Sequence, residues 1–193
     1  MADRLRDTVV AGYLGDESSA RAALTDPSAD IRAAALGALS RAGALTDDDV
    51  RAALTDSAAS VVARAVELAI ARPQVDLLGV TDGRDAAVVE VAAWALGERG
   101  AGQPAAVVDR LTELARHHSD PLVREAAVAA LGAIGDPRGR DAVLAATRDK
   151  PAIRRRAVAA LAAFDGDEVD AALQRAKEDR DWQVRQIAED LLD

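Results

Sequence analysis

Residues 120–149 read DPLVREAAVAALGAIGDPRGRDAVLAATRD, and their spacing decides the fold. Asp120-Pro121 supplies an N-cap and a first-turn proline, the pair that starts a helix. From Val123 the apolar residues fall at offsets 0, +4, +7, +8 and +11, ending at Ile134. These offsets form one stripe of a helix with 3.6 residues per turn. Gly135 stands where that helix must end, and Asp136-Pro137 repeats the starting device before PRGRDAVLAAT. The stretch GAIGDPRGR (132–140) has the glycines and arginines of a phosphate-binding loop. No strand pattern precedes it, however, and no Lys-Ser/Thr follows, as such a loop requires. Its glycines therefore punctuate two antiparallel helices.

Working outward, the same helix recurs. Equivalents of Val123 stand at Ile31, Val61, Val88, Ile153 and Val184, about thirty residues apart. Four residues after each anchor comes alanine: Ala35, Ala65, Ala92, Ala127, Ala157 and Ala188. An invariant small residue on an apolar stripe implies close contact with a neighbour. Second helices follow as DDDVRAAL (47–54), PAAVVDRLTELA (104–115) and DEVDAALQRAK (167–177), while RPQVDLLGVTDG (72–83) leaves room for only a short one. Neither helix of a pair can bury its apolar face alone, so the pairs must stack. One repeat domain is expected over 1–193, with units near 4–25, 26–55, 56–81, 82–119, 120–149 and 150–179 and a terminal helix at 180–193.

Composition agrees with an all-α class. Half of the 193 residues are apolar but only 2% are aromatic, which suits Ala/Leu/Val helices better than a sandwich or barrel. The absence of cysteine excludes disulfides and thiolate metal sites. The first residues carry acids and no unbroken apolar run, and no stretch approaches the ~20 apolar residues of a membrane span. A cytoplasmic protein is expected. The net charge is −9, and arginine greatly outnumbers lysine, a bias that fits a GC-rich genome or a high-salt cytoplasm. Residues 110–160 are nevertheless net basic.

The pattern DP-x-VR-x-x-A-x-x-ALG-x-IGDP resembles HEAT repeats, in particular the short HEAT-like type of phycobilin lyase subunits. Weaker copies extend the resemblance from about Ile31 to Leu192, with residues 4–24 as a divergent first unit. It implies a right-handed α-solenoid of about six helix pairs, first helices convex and second helices concave. It also implies inter-repeat polar contacts for the arginine after each anchor, here Arg32, Arg124, Arg154 and Arg185. Val62 and Val89 take that place in two units, so the series is expected to break there.

Catalytic chemistry finds no footing in the residues. The di-iron hydroxylases of this fold carry His-Glu ligand pairs, whereas the histidines here are His117 and His118. Helical neighbours point ~100° apart and cannot chelate together; a solvated helix end is the simpler reading. A HEAT-like DNA glycosylase needs a basic groove and aromatic residues, and Tyr13, Trp94, Phe164 and Trp182 lie far apart. Phe164 is expected in the core, with Tyr13 and Trp182 covering its ends. Asp47-Asp48-Asp49 lacks the glycine and trailing glutamate of a calcium loop and reads as a capped helix start. Neither cofactor nor metal is expected, and no small-molecule substrate.

Two surface features remain. Trp94 lies at offset +6, off the buried stripe, and either folds over a neighbouring helix or contacts a partner. The basic stretch contains Arg138, Arg140, Arg148, Lys150 and Arg155, with Arg138, Asp141 and Arg148 on one outward face of a second helix. It reads as a salt-bridged solvated face, as a patch for an acidic protein segment, or as a weak phosphate-backbone contact. The expectation is a non-enzymatic scaffold or adaptor that binds protein on the second-helix side through Trp94, Arg138, Arg140, Asp141, Arg148, Lys150 and Arg155. An accessory subunit of a lyase-like enzyme is the alternative, and nucleic acid is disfavoured.

Overall fold

The computed structural model describes residues 2–83 and 85–192. Among them are twelve α-helices and no strand. By backbone proximity the chain divides into two compact units, residues 1–92 and 93–193.

The first unit holds α1 (Ala2–Leu14), α2 (Glu17–Ala23), α3 (Ala29–Arg41), α4 (Asp47–Ala53) and α5 (Ala59–Ala69), then a 3-10 turn at Leu78–Asp82. That turn is the abbreviated second helix expected in 72–83. The first helices form one layer, α1 on α3 and α3 on α5, and the second helices α2 and α4 pack against the following first helices. Asp47-Asp48-Asp49 opens α4 as a capping box: the Asp49 N–H donates to the Thr46 hydroxyl, and the Thr46 N–H to the Asp49 carboxylate.

The division falls inside α6 (Ala86–Glu98). The second unit continues with α7 (Ala105–His117), α8 (Pro121–Ile134), α9 (Arg140–Ala146), α10 (Pro151–Ala160), α11 (Asp167–Ala176) and α12 (Trp182–Leu192). Here α8, α10 and α12 form the first-helix layer, with α7, α9 and α11 beside them. Asp120 and Asp136 accept the expected capping bonds, from the N–H groups of Leu122 and Arg138.

The repeat pattern translates directly into packing. All six alanines at offset +4 are fully buried, and Phe164 is in the core. First helices approach closely at the glycines of offset +9. A Cβ added at Gly132 would lie 2.5 Å from the Ala160 Cβ and 2.9 Å from its Cα. Gly97 meets Ala130 in the same way, and Gly12 meets Ala38. The last pair sets α1 in register, so Asp3 takes the anchor position and Arg4 the place of the arginine after it.

Helix ends also follow the pattern. Gly43, Gly100 and Gly135 adopt φ values of +69°, +70° and +65°, the left-handed turn that closes a helix. Gly135→Ala is expected to cost about 1 kcal/mol in chemical denaturation. Unchanged stability would show that the turn tolerates a side chain.

Two expectations about rings change. Tyr13 is 74% exposed and Trp182 64%, so neither seals an end of the core. Tyr13 instead lies under the Arg41 guanidinium, 4.9 Å from ring centre to Arg41 Cζ, a contact that keeps one ring face in water. Trp94 is 43% exposed on the first-helix side. Since both tryptophans are open to solvent, acrylamide should quench nearly all of the native emission. A shielded fraction would show that one indole is covered in solution.

Candidate functional site

The polar side of the second unit is organised by arginines that follow the anchor residues. Arg124 places Nε and Nη2 on the two carboxylate oxygens of Asp149, at 2.8 and 3.0 Å. Its Nη1 donates to the carbonyls of His118 and Ser119. Arg154 repeats the geometry one unit on, gripping Asp179 at 2.8 and 2.9 Å. Each fork lowers its aspartate's pKa below the ordinary carboxylate range and raises that of the arginine. The terminal Arg185 donates Nη1 to the Asp179 carbonyl. In the first unit, Arg32 holds Asp56 and Arg4 reaches Asp26. Four arginines were expected in this role, and Arg4 is added to them.

The aspartates do double duty. Asp26, Asp56 and Asp179 each accept from the N–H two residues on, starting the next helix. His118 occupies the equivalent place in its unit, and its Nδ1 accepts from the Asp120 N–H at 3.1 Å. His118 is thus a helix-starting acceptor standing in for aspartate, while His117 is exposed in the last turn of α7.

With these carboxylates engaged, the second helices present two neighbouring furrows. One, of about 530 Å³, lies between α9 and α11 and is lined by Arg140, Asp141, Leu144, Arg148, Glu168 and Arg175, with Ala145 and Ala171 in its floor. The other, about 440 Å³, lies between α7 and α9; it shares Ala145 and is edged by Arg116, His117 and Asp149. Alanine floors leave backbone-deep troughs that an extended chain can enter. Within the first furrow Arg140 draws in both acids, Asp141 at 3.5 Å and Glu168 at 3.6 Å.

The residues singled out in the sequence are only partly gathered here. Arg140, Asp141 and Arg148 line the same furrow. Arg138 does not join them: it lies in the 3-10 turn before α9 and folds back onto Asp136, with Nη2 to Oδ2 at 2.6 Å. Side-chain and backbone bonds from Arg138 hold the Asp136 pKa down to about 2. Lys150 is exposed at the N-cap of α10. Arg155 belongs to the first-helix layer, where Nη1 bonds Asp181 and Gln183 at 2.9 Å. Trp94 is on α6, also a first helix. Arg116, Arg175 and Glu168 went unnoticed because furrows are built from different helices and no local motif announces them.

Comparison with known proteins agrees with this architecture. A family profile described as HEAT repeats matches residues 76–162 and 108–193. Among solved structures, a designed armadillo repeat protein in complex with peptide (KR)4 superposes with TM-score 0.67 at 16% identity, covering 93% of this chain and 98% of the other. An engineered protein gives 0.65 at 22% identity, over 92% and 97%. A computationally designed armadillo repeat protein for modular peptide recognition gives 0.61 at 18%, over 93% and 98%. These likenesses establish the α-solenoid repeat fold. No curated protein matches the sequence. No described helix is long and apolar enough to cross a membrane.

Proposed function

Because the chain belongs to the HEAT-repeat family, we propose that it is a non-enzymatic scaffold or adaptor in the cytoplasm that holds a segment of another protein along the second helices of residues 93–193. The observation that carries this reading is the pair of adjoining alanine-floored furrows between α7, α9 and α11. Open troughs crossing successive repeats offer many small contacts to an extended chain, as repeat surfaces do. The fold also supports the reading, since solved structures of this architecture include a designed protein in complex with a peptide. Charge narrows the partner to one with an acidic segment, because cations line both furrows.

Affinity capture at two salt concentrations tests the proposal. A specific protein is expected to be retained at low salt and lost when Arg140→Glu and Arg148→Glu are combined. Retention by the double variant would move the site elsewhere. A pigment or metal that co-purifies with the chain would instead favour an enzyme-associated subunit.

A further inference from the structure

Among the described residues of this acidic chain, most arginines have an intramolecular carboxylate or carbonyl, and three that line the furrows do not. Arg116, in the last turn of α7, Arg148, just after α9, and Arg175, in the last turn of α11, have exposed side chains with no hydrogen bond or ion pair. The reason is visible around them. Asp149, the acid nearest Arg148 in sequence, is held by Arg124. Asp141 and Glu168 are drawn to Arg140, and Glu113 is held by Arg110 at 2.7 Å. The acids that line the furrows, Asp141, Asp149 and Glu168, are thus all engaged by arginines outside the row.

We propose that Arg116, Arg148 and Arg175 form a carboxylate-reading row that takes an extended acidic segment, one acid per repeat. This deepens the scaffold reading and rests on it. Packed helices lie ~10 Å apart, and the three arginines stand at the C-terminal ends of three successive second helices. A segment in the extended polyproline-II conformation advances ~3.1 Å per residue with three residues per turn, so side chains three apart share one face about one helix spacing apart. The segment recognised carries Asp or Glu at every third position. A nucleic-acid strand fits less well, because the furrows present no Phe, Tyr or Trp ring for base stacking.

The test is fluorescence anisotropy at low salt with labelled synthetic peptides, Glu at every third position with Gly and Ser between, against the same composition with Glu at every second position. A single-stranded oligonucleotide serves as the third probe. The every-third peptide is expected to bind at least about fivefold more tightly than either other probe. Each of Arg116→Gln, Arg148→Gln and Arg175→Gln should weaken it by about fivefold, the range of an exposed ion pair, with melting temperature unchanged. Equal affinity for both peptides, tighter oligonucleotide binding, no peptide binding at millimolar concentration, or binding indifferent to the three substitutions would each overturn the row. None of these would by itself overturn the scaffold reading, which fails only if affinity capture yields no specific protein partner.

Discussion

Gly132→Leu is expected to lower the unfolding midpoint by about 10 °C. Even a methyl group at Gly132 would lie 2.5 Å from the Ala160 Cβ and 2.9 Å from its Cα. The nearer atoms belong to the backbone of α10 and to its shortest side chain, so no rotamer change relieves the clash. The helices must separate, which also loosens Ala127 and Ala157, both fully buried. Overpacking a tight core costs ~1–3 kcal/mol, and a backbone contact belongs at the upper end. At ~2–4 °C per kcal/mol for a chain of this size, about 3 kcal/mol gives the stated shift. Ala133→Leu, one residue on and exposed, is the control and should leave the midpoint in place. A Gly132→Leu midpoint within ~2 °C of the parent would mean that the close approach of α8 and α10 is not maintained in solution.

Asp179→Ala should carry the second large effect. Arg154 is only 6% exposed, and losing Asp179 strips Nε and Nη2 of their acceptors, leaving the bond from Nη1 to the Asp149 carbonyl. Breaking a fully buried pair costs roughly 3–5 kcal/mol. The Asp179 side chain keeps 16% of its exposure, so we expect about 2 kcal/mol in chemical denaturation. Arg154→Met combined with Asp179→Ala should recover part of that loss, because an apolar side chain needs no partner. If the double variant is less stable than Asp179→Ala alone, the fork is not the source of the effect.

The same fork predicts a pH dependence. The Arg154 guanidinium holds the Asp179 pKa below its ordinary value, and Arg124 and Arg32 do the same for Asp149 and Asp56. A carboxylate with a depressed folded pKa stabilises fully above its unfolded value of ~3.9, and that stability is lost as pH falls through the folded value. The midpoint gap between parent and Asp179→Ala should therefore be widest at neutral pH and shrink toward about pH 2.5. A gap constant across that range would show that Asp179 acts by packing rather than by charge.

Much of the fold is legible in residues 120–149 because helix packing repeats. The +4 alanines and the glycine stops each answer a steric demand that recurs every thirty residues or so. Period and residue size are enough to read it. The first unit was harder, because Asp3 and Asp7 stand at offsets 0 and +4 where other units have apolar residues. Only the contact of Gly12 with Ala38 restores the register. The ends misled for a related reason. A ring near a terminal unit suggests a cover over the core, yet Trp182 is exposed and Tyr13 keeps to the surface beneath the Arg41 guanidinium.

The candidate site was legible by residue type and not by arrangement. Arg138, Arg140 and Arg148 lie within one short segment, but Arg138 is neutralised by Asp136 two residues before it. Arg175 is distant in sequence and lines the same furrow as Arg148. Repeat period, helix pairing and the arginine series were determined by the sequence alone, because they follow from local periodicity and side-chain volume. Which cations remain unpaired was decided only by the tertiary structure. An ion pair depends on where helices some thirty residues apart place their side chains, and that placement set Arg124 on Asp149 and Arg140 on Glu168 while leaving Arg116, Arg148 and Arg175 open.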